Sequence, residues 1–117
     1  MRKTAQWLML AVTLLAVIAA SPTAMARDTE EMISSAQTRA DHEALAVHYE
    51  QEAEAQRQKE EQHRRIRTAY EQGGVYKAIK EGMIQHCNLL IRKYHELVEV
   101  NLEMAKMHRQ LAAAAPQ

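Results

Sequence analysis

The sequence predicts an all-α protein built as a two-helix antiparallel hairpin, coiled-coil-like, that pairs with a second copy into a four-helix bundle. Three observations predict it. No stretch shows the two-residue alternation of a half-buried strand, both prolines (Pro22 and Pro116) lie outside the body of the chain, and one Gly73-Gly74 pair separates two long runs of helix-forming residues.

The chain opens with Arg2 and Lys3 ahead of an apolar run from Leu8 to Ala20, shorter than the ~20 residues that span a bilayer as a helix. Ser21-Pro22 breaks the run, and Ala24-Met25-Ala26 follows as an A-x-A cleavage pattern. Residues 1–26 are therefore expected to be a cleaved secretory signal. The mature protein would begin at Arg27 in a bacterial periplasm or outside the cell, with no membrane span left. Residues 27–38 carry charges, Ser34, Ser35 and an isolated Met32-Ile33 pair without periodicity, and read as a weakly ordered leader.

The hairpin should occupy residues 39–117. Thr38 and Asp41 have the spacing of a capping box, and a Glu-, Gln-, Ala-, Arg- and Lys-rich run then predicts a first helix over 39–71. Glu60 with Arg64 and Glu61 with Arg65 form favourable i,i+4 pairs, and Arg64, Arg65 and Arg67 sit near the negative end of the helix dipole. That placement accounts for the basic cluster. The turn is expected over 72–82: Gly73-Gly74 supplies backbone conformations closed to other residues, Val75 to Lys80 forms a short helical lead-in, and Gly82 loosens it. A second helix follows over 83–113. At ~1.5 Å per residue both helices reach about 45 to 50 Å, so their lengths match.

The second helix carries an apolar stripe at 4,3 spacing: Met83, Cys87, Leu90, Tyr94, Leu97, Asn101, Met104, His108, Leu111. A second row runs beside it at Ile84, Ile91, Val98, Ala105 and Ala112. The first helix cannot match this. Between Glu50 and Arg65 its only apolar residues are Ala53 and Ala55, so Leu90, Ile91, Leu97 and Val98 would stay partly wet in a monomer. At ~1.5 to 3 kcal/mol for each large aliphatic side chain, about 6 to 12 kcal/mol of burial lacks a partner. A homodimer with the second helices packed centrally would supply it.

Loss of Arg2 and Lys3 changes the charge balance from 15 basic against 15 acidic residues to 13 against 15, a net −2 with histidines neutral. Such a surface gives no footprint for nucleic acid. Protonation of the six histidines would carry it to +4, so mild acid acts strongly on this chain. An enzyme reading finds no Gly-rich phosphate loop and no strand-to-helix nucleophile turn, and a Cys87–His63 pair across two helices has no concave pocket around it. The chain is expected to be non-enzymatic.

Its sharpest chemical feature is a near repeat in the second helix, Met83-Ile84-Gln85-His86-Cys87 and Met104-Ala105-Lys106-Met107-His108. Positions i, i+3 and i+4 share a helix face, so thioether, imidazole and thiol donors converge within one turn, a donor set suited to Cu(I) rather than to the hard cations Mg(II) or Ca(II). If facing residue numbers sum to about 153 in the hairpin, His63 falls one turn from Cys87, His48 falls between Met104 and His108, and Glu52 lies close to Asn101. Two candidate copper sites follow: Met83, His86, Cys87 and His63, and Met104, Met107, His108 and His48. Met32, His42 and His95 receive no partner, and His95 reads as solvated. The competing expectation is a periplasmic coiled-coil interaction or chaperone-like protein without metal. There Met and Cys fill space, Tyr94, Asn101 and His108 set register, and Leu89, Val100 and Leu102 meet a protein partner. Cys87 is the single cysteine, so in an oxidising compartment it must be buried, metal-bound or bridged to another chain.

Overall fold

A computed structural model describes residues 22–74 and 76–117, with side chains described from Thr29 onward except that of Val75. Within them the protein is all-helical: α1 (Pro22–Ser35), α2 (Arg39–Gln72) and α3 (Lys77–Ala114). The apolar run of the expected signal lies outside the described residues. No helix among the described residues is long and apolar enough to cross a membrane. Residues read as a weakly ordered leader belong instead largely to α1, which has proline at its first position, where the missing N–H costs no hydrogen bond. This helix touches α2.

The start of α2 is the expected capping box. Thr38 Oγ1 accepts from the Asp41 N–H at 3.2 Å, while Asp41 Oδ2 accepts from the Thr38 N–H at 2.8 Å and the Gln37 N–H at 3.0 Å. Those backbone donors, Gln37 first, hold the Asp41 carboxyl below its ordinary range. The carbonyl of Pro116 accepts from the Arg39 N–H at 3.0 Å, so the start of α2 is tied to the segment after α3 at the open end of the hairpin.

At the other end the glycines work differently from expectation. Neither Gly73 nor Gly74 has positive φ; Gly73 is extended at φ −78°, ψ 160°. What demands a small residue at Gly73 is proximity, since a Cβ there would lie 3.0 Å from the Ala69 carbonyl oxygen. Lys80 Nζ donates to the Gly73 carbonyl at 3.3 Å and ties the turn to α3. The second long helix starts at Lys77 rather than at residue 83. Gly82 is simply helical, with open space where its side chain would be.

α2 and α3 pack along their length as a long antiparallel hairpin. Register follows the expected sum: Glu60 faces His95, Arg67 faces Asn88, and Arg109 reaches both Glu43 and Glu50. The buried seam holds Leu45, Ala46, Ala53 and Glu60 from α2 against Cys87, Ile91, Val98, Ala105 and Ala112 from α3. Four of these nine residues are alanines, so the contact buries little aliphatic volume. The expected second row of α3 is its core, with Ile84 half-buried at the edge. The 4,3 stripe divides: Cys87, Tyr94, Asn101 and His108 turn toward α2, while Met83, Leu90, Leu97 and Leu111 stay outside.

Candidate functional site

Two features of α3 bear on function, one facing α2 and one facing solvent. The inner feature is a ladder of rings. Along α2, His42, Tyr49, Gln56, His63 and Tyr70 recur every seven residues and are all half-buried. His108 of α3 packs against two of them, with ring centroids 5.6 Å from His42 and 5.6 Å from Tyr49. The Nδ1 atoms of His42 and His108 lie 3.3 Å apart, so one imidazole donates to the other. Burial first, and the charge of His42 second, push the His108 imidazolium to lower pKa than usual. Further along, Tyr94 stacks on His63 at 5.4 Å, with Lys59 Nζ at 5.8 Å from its ring centroid.

The most polar point of the seam is Glu60, 8 % exposed. Its carboxylate is paired with Arg64, and His95 Nδ1 lies 3.4 Å away. The bond from Arg64 outweighs desolvation and holds the Glu60 carboxyl below its ordinary range. His95, expected to lack a partner, is more than half exposed yet reaches Glu60 and, at 3.5 Å, Glu99.

The eight sequence-predicted ligands do not gather as two sets within one chain. Cys87 is buried against α2, whereas His86 is exposed and Met83 is 39 % exposed. Residues 86 and 87 are one helical step, about 100°, apart, and the seam with α2 passes between them. His63 is stacked on Tyr94, with its Nδ1 buried and without a hydrogen-bond partner. In the second set His108 turns inward to His42 and Tyr49, Met107 points outward, and Met104 is half-buried. His48 lies against α1, its Nε2 3.2 Å from Thr29 Oγ1. Among the described residues no group of three or more His, Cys, Asp or Glu side chains is placed to hold a metal ion.

Sequence reasoning missed the stacking of His42 and Tyr49 on His108 and of Tyr94 on His63. The signal was present in the seven-residue spacing of His42, Tyr49, Gln56, His63 and Tyr70, a row of rings and amides rather than of aliphatics.

The outer feature is a second heptad seam on α3, rotated about 100° from the first. One row is Met83, Leu90, Leu97, Met104 and Leu111; the other, at 3,4 spacing from it, is Ile79, His86, Lys93, Val100 and Met107. Leu90 is 36 % exposed, Leu97 44 %, Val100 60 %, Met107 42 % and Leu111 49 %. Among the described residues this face stays largely open, with Met104 half-buried. No family model matches the chain, and neither the curated proteins nor the solved structures compared with it give a match.

Proposed function

We propose that this chain is an exported, non-enzymatic helical hairpin whose activity is pairing, and that its first partner is a second copy of itself. Export rests on the charged start, apolar run and A-x-A pattern of residues 1–26. Pairing rests on one observation: α3 carries two heptad seams, and α2 occupies only one of them. Isolated exposed leucines are ordinary, but a continuous apolar row at heptad spacing over about 42 Å, from Met83 to Leu111, is a helix-docking surface.

A second copy fits that surface in one orientation. In a parallel pair Lys93 would face its own copy inside an apolar seam. In an antiparallel pair with facing numbers that sum to about 190, Ile79 meets the partner's Leu111, Leu90 meets the partner's Val100, and Lys93 lies beside the partner's Leu97 and Glu96. Within one chain Lys93 Nζ already binds Glu96 Oε2 at 2.8 Å, so at the dimer axis two such pairs can exchange partners without leaving a charge alone. The assembly is a four-helix dimer with the α3 helices central and the α2 helices outside.

Sedimentation of the purified protein beside Leu90→Glu/Leu97→Glu tests this. The wild type should be dimeric at micromolar concentration and the variant monomeric, both with full helical circular dichroism. A folded wild-type monomer would overturn the proposal. A second reading, an adaptor or holdase for other chains, is favoured by Leu89 and Leu102, exposed at 43 % and 41 % and outside both seams. It predicts that Leu89→Gln/Leu102→Gln leaves the dimer intact while protection of a heat-aggregating client protein is lost.

A further inference from the structure

We infer that the antiparallel pair of α3 helices builds two binding sites for a soft monovalent metal ion, Cu(I) or Ag(I), each made of Met83 and His86 from one copy with Met104 and Met107 from the other. The inference rests on the pairing proposed above.

Its starting point is how the donors divide in a single chain. The inner seam takes Cys87 and His108 to α2. What stays on the outer seam is Met83 with His86, and Met104 with Met107, each pair at i,i+3 on one face. Each pair offers two donors, too few for a stable site, and the pairs lie about 31 Å apart along the helix, so one chain cannot close them.

The antiparallel register joins them. The facing sum of about 190 that matches Leu90 to the partner's Val100 also sets Met83 opposite the partner's Met107, and His86 opposite the partner's Met104. The two layers are adjacent, within about one 5.4 Å helical turn, and methionine and histidine are long enough to converge between them. By symmetry the same four residue types meet at the other end of the dimer. Three thioethers and one imidazole form a neutral, soft donor set. Such ligands select Cu(I) and its congener Ag(I) over Zn(II), Ca(II) or Mg(II), and the flanking leucine layers exclude water from the bound ion.

The test is Ag(I) titration followed by calorimetry in a Cys87→Ala background, which removes the buried thiol from competition and leaves the outer face untouched. One Ag(I) per chain is expected. Met83→Leu/His86→Leu and Met104→Leu/Met107→Leu, each in that background, should stay dimeric, because leucine suits the seam, and should bind no Ag(I) at micromolar concentration. When the two variants are unfolded together and refolded as an equimolar mixture, half of the dimers are mixed, and each mixed dimer has one intact site and one site wholly without donors. About one site per four chains should then return. Sites within one chain, or a parallel pair, give no such recovery. A dimeric parent that binds no Ag(I), or variants that stay dimeric without recovery on mixing, would overturn the shared site and leave the pairing reading standing. A monomeric parent would overturn both.

Discussion

Leu97 and Val98 are adjacent in the chain but belong to different seams, so replacing each by alanine separates pairing within a chain from pairing between chains. Val98 is 5 % exposed, packed between α3 and α2. Removing two buried carbons costs about 1.5 to 2.5 kcal/mol of hairpin stability, the transfer contribution plus a small cavity. Leu97 retains 44 % of its surface in a single chain. Full burial of a leucine is worth ~1.5 to 3 kcal/mol, so covering what remains contributes about 0.7 to 1.3 kcal/mol per copy. Two copies per dimer make that roughly 1.3 to 2.6 kcal/mol, or about ten- to eightyfold in the dimer Kd. Urea unfolding by circular dichroism at two protein concentrations, with sedimentation alongside, reads both effects. Val98→Ala should lower the midpoint by the same free energy at each concentration and leave assembly of the folded chain alone. Leu97→Ala should weaken the dimer at least tenfold and lower the midpoint only where the wild type is dimeric. The two-seam reasoning fails if Leu97→Ala leaves Kd unchanged, or if it destabilises the dilute monomer as much as Val98→Ala does.

Three further outcomes follow from the hairpin itself. Gly82→Ala should stabilise α3 by about 0.5 to 1 kcal/mol, because the site is helical and open around the added methyl; thermal melting with no gain would contradict this. Glu60→Gln should lower the unfolding free energy by about 0.5 to 1 kcal/mol in urea, since the bond from half-exposed Arg64 that outweighs desolvation is weakened. A rise would show that desolvation of Glu60 removes more than its bond contributes. Stability should also decline in mild acid. His108 has a folded-state pKa depressed below the ordinary 6.5, so the unfolded chain binds the proton first. Its contribution is fully present above pH 6.5 and is lost as pH falls through the folded value, with His42 and Tyr49 facing it from α2. His108→Gln should flatten the stability profile as pH falls below 6.5, ahead of the later loss from Glu60, whose lowered pKa places its contribution above 4.5. An unchanged slope in His108→Gln would refute the assignment.

Several elements were legible in the residues alone because their causes are local. The capping box needs only Thr38 and Asp41 three residues apart, and the antiparallel hairpin and its register need only two matched helices around one short turn. The expected deficit in the middle of α2 was legible only in part: no large aliphatic lies there and Leu90 and Leu97 do remain wet, but Ile91 and Val98, expected to be wet as well, are buried against α2, because the small Ala53 side chain leaves room for them. The role of glycine was misjudged, because composition reports that small residues are present and not whether φ or proximity requires them. The start of α3 was placed late for the same reason, since Gly82 weakens a helix without ending it.

By itself, then, the sequence determined the two long helices, the turn between them and the presence of two Met/His-bearing turns three heptads apart, but not α1. Only the tertiary structure decided which way those turns face. Rows one residue apart on a helix differ by about 100°, and periodicity alone cannot say which of two adjacent heptad rows a partner will cover. The row through Ile91, Val98, Ala105 and Ala112 is the one buried with Leu45, Ala46 and Ala53 of α2. That choice draws Cys87 and His108 inward and leaves Met83, His86, Met104 and Met107 on the two rows of the outer seam, where the antiparallel second copy proposed above would bring them together.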